Sequence, residues 1–174
     1  KIEANLAFDI MMDQNGPGFM RLGKVPDEEF HPSEPKYTLG NGLIIKDGSD
    51  IAIICIGNIV EDVMEAANLL DSLGINTKIV TLLTVEPINK NYIIKLTRKH
   101  QAIFTVEEHN QKGGLGTAIS EILAEIDTSN ILFKRIGLNE KHHLEIGSQE
   151  YLKEINGLSS QRIVKRITSY LNEK

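Results

Sequence analysis

Apolar and polar positions alternate between two periods along most of the chain. Ile51-Ala52-Ile53-Ile54-Cys55-Ile56 is a continuous apolar run of strand length, suited to burial on both faces. A stripe at helical spacing follows, formed by Val60, Val63, Met64, Ala67 and Leu70. Asn58 is placed to cap that helix with Glu61 as its capping-box partner, and Gly74 is placed to end it. The alternation then repeats, with strands predicted from Thr77 to Leu83, Ala102 to Val106 and Ile131 to Ile136. Between them, Pro87 opens a helix carrying Ile93, Ile94 and Leu96. Gly113-Gly114-Leu115-Gly116 leads into another, with Ile119, Ile122, Leu123 and Ile126 on one side. Two helices close the chain, one after Ser148 and one after Ser159, the latter striped by Ile163, Ile167, Tyr170 and Leu171.

The first part of the chain is less regular. Ala4 to Met12 has a helical pattern that ends at the breaker cluster Gln14-Asn15-Gly16-Pro17. Gly18-Phe19-Met20-Arg21-Leu22 reads as a short strand. Residues 25–36 hold Pro26, Pro32 and Pro35 and read as an extended linker, because each proline removes a backbone donor and disfavours helix. A domain boundary is expected there, dividing 1–30 from 31–174. Tyr37 to Lys46 is strand-like, interrupted at Gly40-Asn41-Gly42, and Lys46 to Asp50 is a turn with the hairpin signal Asp47-Gly48. That strand is expected to be antiparallel or an edge. Strands alternating with helices imply a three-layer α/β fold, with a mostly parallel five-stranded sheet and helices on both faces.

Composition narrows the possibilities. The chain has 174 residues, enough to hold a core without staples. Nineteen Lys and Arg are scattered among 24 Asp and Glu, giving a net charge of −5 with no basic face or stripe for a nucleic acid. No apolar stretch reaches the roughly 20 residues of a bilayer span, and no secretory signal is present. The lone Cys55 has no partner for an internal disulfide, which fits a reducing, cytoplasmic compartment. Cys55 is read as a small buried hydrophobe in a central strand, with a nucleophile as the alternative. The start at Lys1 in helix-like sequence suggests a piece of a longer protein.

The most distinctive stretch runs from Thr105-Val106-Glu107-Glu108-His109-Asn110 to Gly113-Gly114-Leu115-Gly116, from the carboxyl end of a strand into the start of a helix. Ligands bind in that crevice in open α/β sheets. Carboxylates and a histidine can do acid–base work, and glycines can let amide groups approach an anion. The alternative is a purely structural turn. The spacing matches neither a dinucleotide fingerprint nor a P-loop, and adjacent Glu107 and Glu108 point opposite ways on a strand. His109 with His142 and His143 lacks the i, i+4 spacing of a metal site, so no metal site is expected in this chain. Arg21 and Lys24 are candidates for holding a phosphate, with solvated surface charges as the alternative.

Together these segments resemble the carboxy-terminal region of transketolase-like enzymes, a group that includes deoxyxylulose-phosphate synthases and the β subunits of 2-oxo-acid dehydrogenases. Pro17 to Lys24 looks like the last strand of the pyrimidine-binding domain, and Gly48 to Gly57 like the first strand of the third domain. Val85-Glu86-Pro87-Ile88-Asn89 is similar to the family's turn after the second strand. Val106 to Asn110 with Gly113 to Gly116 is the most specific match, and Ile136-Gly137-Leu138, Gly147-Ser148 and Tyr151-Leu152 complete it.

The resemblance implies that residues 1–30 are the end of a pyrimidine-binding domain with its linker, and 31–174 the third domain. It implies an intact enzyme using thiamine diphosphate and a divalent metal (Mg2+ or Ca2+), neither held by this stretch. It implies upstream cofactor-binding domains on the same or another subunit, a homodimer, and a sugar phosphate substrate with Lys24 and Arg21 near its phosphate. No catalytic residue is expected in this chain, and turnover by this chain alone is not expected. Two departures bear on substrate. Lys24 stands where sugar-phosphate members carry arginine, and Leu83 where synthase-type members carry arginine. The equivalent domain of a synthase or dehydrogenase β subunit is therefore one alternative, and a stand-alone module binding an anion or a partner chain is another.

Overall fold

The computed structural model describes residues 1–23, 29–139 and 145–173. After a helix α1 (Ile2–Met12), the elements are β1 (Gly42–Lys46), β2 (Ile51–Ile56), α2 (Val60–Ser72), β3 (Thr77–Leu82), α3 (Lys90–Thr97), β4 (Ala102–Asn110), α4 (Leu115–Ala124), β5 (Leu132–Leu138), α5 (Gln149–Ile155) and α6 (Ser160–Asn172). The sheet order is β1-β3-β2-β4-β5. β3, β2, β4 and β5 are mutually parallel, and β1 lies antiparallel to β3 at the edge.

Two cores follow from the period-two alternation of the strands. On one face Ile51, Ile53 and Cys55 of β2 pack with Phe104 and Val106 of β4 under α2 and α6. On the other, Ala52 and Ile54 join Val80, Leu82 and Ile103 under α3 and α4. Each fully buried Ile or Phe contributes roughly 1.5–3 kcal/mol of transfer free energy. The expected three-layer α/β architecture with one antiparallel edge strand is what the chain adopts.

Several local expectations are corrected. Gly18–Leu22 forms no strand, because no strand among the described residues lies beside it. The Asp47-Gly48 turn connects β1 to β2 but makes no hairpin. β1 pairs with β3, and β2 pairs with β3 and β4. A single 3₁₀ turn, Gly57–Ile59, precedes α2, so its N-cap is Ile59 rather than Asn58, with no side-chain cap bond. Pro87 lies before α3, whose N-cap is Asn89, its side chain accepting from the amides of Asn91 and Tyr92. Gly74 does end α2: at φ +81° it donates to Asp71 O at 2.9 Å while Ile75 donates to Leu70 O at 3.0 Å, a Schellman pair. No helix among the described residues is long and apolar enough to cross a membrane.

α2 leaves the carboxyl end of β2 toward the first core, and α4 leaves that of β4 toward the second. The crevice at which α/β folds bind ligands therefore lies between the ends of β2 and β4, where Ile56 pairs with Glu107.

Candidate functional site

β4 runs four residues past the predicted end at Val106, through Glu107, Glu108 and His109 to Asn110. Beyond Glu107 its partner is β5, with Asn110 opposite Leu138 after an irregularity in the register. Glu107 lies on the face of β4 that carries α4. Its Oε2 accepts from the Leu115 amide and its Oε1 from the Gly116 amide, both at 2.8 Å. These are first-turn amides of α4, which have no intrahelical partner and sit at the positive end of the helix dipole. A carboxylate from the preceding strand satisfies both. Glu107 is only 2% exposed. Burial pushes its carboxyl above the ordinary glutamate range, against the pull of the Gly116 and Leu115 amides and of His109 and Arg135.

The glycines fit this clasp. A Cβ on Gly114 would lie 2.0 Å from Glu107 Oε2, and one on Gly116 would lie 2.8 Å from both Arg135 and Thr105 side-chain atoms. Gly113 has φ +75°, and its amide donates to Thr117 Oγ1 at 3.1 Å. Arg135 of β5 closes the loop from below. Its Nη1 donates to Gln111 O at 3.0 Å and to Thr117 Oγ1 at 3.2 Å, while Thr117 Oγ1 donates to Gln111 O at 2.8 Å. Nothing in the sequence marks Arg135 as part of this loop, because the contact spans 24 positions and follows only from β5 lying beside β4.

Glu108 and His109 do not join Glu107. Glu108 is half-buried and accepts from Gln149 Nε2 at 3.2 Å, tying the start of α5 to the end of β4. His109 is exposed, with Nδ1 2.9 Å from Asn110 O. Cys55 is buried in the first core, where burial and then Glu3 push its thiol far above the ordinary range. Arg21 is exposed, and Lys24, His142 and His143 lie outside the described residues.

A second polar cluster, which the sequence reading missed, sits at the carboxyl end of β3. Glu3 Oε1 lies 3.0 Å from His31 Nε2 and accepts from Thr81 Oγ1 at 2.5 Å. Glu29 accepts from the Ile2 amide at 2.8 Å and the His31 amide at 3.2 Å. The positions are far apart in sequence and carry no shared pattern, so only folding brings them together.

Among the described residues, the thiamine diphosphate and cation implied by the resemblance find no fitting donor set. The first-turn amides of α4 face Glu107, a group of the same charge as a diphosphate. Among the described residues no group of three or more His, Cys, Asp or Glu side chains is placed to hold a metal. The two bonds that Glu107 makes hold α4 and β4 in register.

A family model described as the C-terminal domain of transketolase matches residues 40–163. The chain is 30% identical over 159 residues to the 6-deoxy-6-sulfo-D-fructose transketolase subunit of Clostridium sp. strain MSTE9, covering 91% of this chain and 48% of that protein. It is 37% identical over 144 residues to the 1-deoxy-D-xylulose-5-phosphate synthase of Heliobacterium modesticaldum, covering 83% of this chain and 21% of that protein. A solved structure described as a split-gene transketolase in an inactive β4 tetramer superposes with a TM-score of 0.74 at 28% identity, over 83% of this chain and 46% of that one. The chain thus spans about half, or less, of the length of these relatives. With that match over residues 40–163, most of its length, the chain belongs to the transketolase C-terminal domain family.

Proposed function

We propose that this chain is the carboxy-terminal domain of a transketolase-like enzyme that moves two-carbon ketol units between sugar phosphates, and that it serves dimer assembly and the substrate entrance. The observation that carries this reading is the half-length match to a protein named as a transketolase subunit. That relative is named for a sugar bearing a sulfo group, a terminal anion. A terminal phosphate on the substrate of this enzyme gives Arg21 and Lys24 a comparable role. Residues 1–30 are the end of the upstream pyrimidine-binding domain and its linker. The strand-like Gly18–Leu22, without a strand beside it among the described residues, supports this division. Thiamine diphosphate and its metal belong to the upstream domains, on the same polypeptide or another subunit, and this chain's loops pack beside them in a cytoplasmic enzyme.

The test is turnover with thiamine diphosphate, Mg2+ and a ketose phosphate donor. The chain alone is expected to be inactive, and the chain joined to its upstream half active. Turnover by the chain alone would refute the assignment of chemistry to the upstream domains.

A second reading, a synthase that uses a 2-oxo acid donor, is favoured by the 37% identity to the Heliobacterium protein. Activity of the joined enzyme with a 2-oxo acid and none with a ketose phosphate would select it. A stand-alone anion-binding module has less support, since Glu107 already takes the α4 amides.

A further inference from the structure

His100 stands between α3 and β4, at the amino-terminal edge of the sheet, and only 7% of it is exposed. Both of its ring nitrogens face backbone carbonyls. Nδ1 lies 2.9 Å from Leu96 O in the last turn of α3, and Nε2 lies 3.2 Å from Gly48 O in the turn between β1 and β2. A neutral imidazole carries one N–H and one lone pair. Whichever tautomer it takes, a neutral ring donates to one of these carbonyls and turns its lone pair on the other. The imidazolium donates to both. The carbonyl end of the α3 dipole favours that form as well.

The turn that His100 reaches is tied to the sheet on its other side. A Cβ on Gly48 would fall 2.3 Å from the Thr77 carbonyl carbon, and the Ser49 amide donates to Asn76 Oδ1 at 2.7 Å. Charged groups meet the ring from each neighbouring element. Asp47 of the turn is held below the ordinary aspartate range by Lys78 and the Gly48 amide, with the charge of His100 adding to the pull. Lys78 is the positive charge that β3 brings, and it is paired with Asp47. The Asp50 carboxylate accepts from the Asn76 amide at 2.7 Å. Arg98 and Lys99, beside His100 at the end of α3, are exposed to screening solvent. From β4, the Gln101 amide donates to Asp50 O at 2.9 Å.

We propose that His100 is a proton-operated clamp: protonated, it fastens the end of α3 to the β1–β2 turn, and on losing its proton it lets the turn go. The shorter Nδ1 contact lies within the helix end itself and keeps the remaining proton, so Gly48 is the partner released. The folded chain gains a bond on binding the proton that the unfolded chain does not. That contribution is present in acid and is lost as pH rises through the imidazole range, near about pH 6.5. The turn carries the edge strand β1, so the edge of the sheet is the part whose local opening follows pH. This inference is independent of the reaction assigned above.

Ring-nitrogen NMR of the wild-type chain tests it directly. At about pH 5 both ring N–H protons of His100 are expected, and at about pH 8 only the one on Nδ1. Amide exchange over 46–50, corrected for its intrinsic pH dependence, is expected to rise roughly tenfold against 51–56 between the two conditions. A second measurement uses His100→Asn, which keeps a donor for Leu96 O and takes up no proton. The wild-type advantage over this variant in the folding equilibrium, read by urea unfolding, is expected to shrink roughly tenfold over the same range. A ring whose proton count does not change between the two conditions overturns the clamp, whether it holds one proton or two. So does a wild-type advantage that stays constant. The NMR result needs no variant, so it decides the matter even where His100→Asn does not fold.

Discussion

The carboxylate of Glu107, at the end of a central strand, accepts the amide of Gly116 in the first turn of the helix that follows it, at 2.8 Å. A second bond to Leu115 makes the contact two-pronged. The strand therefore caps its own successor helix, and the loop between them carries no cap of its own at Gly114.

Removing that carboxylate leaves two buried amides unsatisfied. Glu107→Ala is expected to lower stability by about 2–4 kcal/mol and Glu107→Gln by less, since one amide oxygen can still accept. Urea unfolding of the two variants against wild type measures this.

Gly113 and Gly114 are expected to differ in kind. Gly113→Ala meets open space but must hold φ +75°, costing about 1 kcal/mol. Gly114→Ala drives a methyl into Glu107 and is expected to cost more. A double-mutant cycle should find Gly114→Ala strongly non-additive with Glu107→Ala and Gly113→Ala nearly additive.

Two carboxylates give opposite pH signatures. Glu107 is raised on folding, so the folded state holds its proton more tightly. Its contribution is full below the ordinary glutamate range and is lost as pH rises through the raised value. Asp71 is lowered: burial opposes its charge, but Lys46, with Nζ 2.7 Å from Oδ2, and the Thr77 amide overcome it. Its contribution is present above the ordinary aspartate range and is lost as pH falls through the lowered value. Stability measured from pH 3 to 8 should therefore fall less on the acid side in Asp71→Asn, and fall less on rising from acid to neutral pH in Glu107→Gln.

Cys55 should resist thiol reagents in the native state and react at the rate of global opening, since burial disfavours its thiolate. Labelling kinetics across a urea series test this. Native labelling that is fast and independent of urea would contradict it.

The central strands were legible because burial on both faces writes a continuous apolar run: β2 spans Ile51–Ile56 as the run predicts. Helix starts were less so. Asn58 and Pro87 both look like starts, yet α2 follows a 3₁₀ turn and α3 begins at Lys90 after its cap Asn89, because the strand-to-helix turns use up those residues. The apolar pattern of β4 ends at Val106, because Glu107-Glu108-His109 does not look like a strand. It is one because β5 pairs with it and α4 takes the charge of Glu107. The site loop was visible as a glycine pattern beside carboxylates. Its internal bonds were not, because Arg135 and Glu107 meet it only through tertiary packing.

The edge strand β1 bears on the order in which this domain assembles. Its partner is not the strand that follows it but β3, with Gly42 opposite Leu82. On a growing chain β1 leaves the ribosome before its template exists and stays unpaired until α2 and β3 have been made. Closing so long a loop precedes any return from the pairing. The first strand of this sheet to be synthesised is thus expected to be among the last to lock, leaving the amino-terminal boundary of the domain open while the β2–β4 centre is already formed.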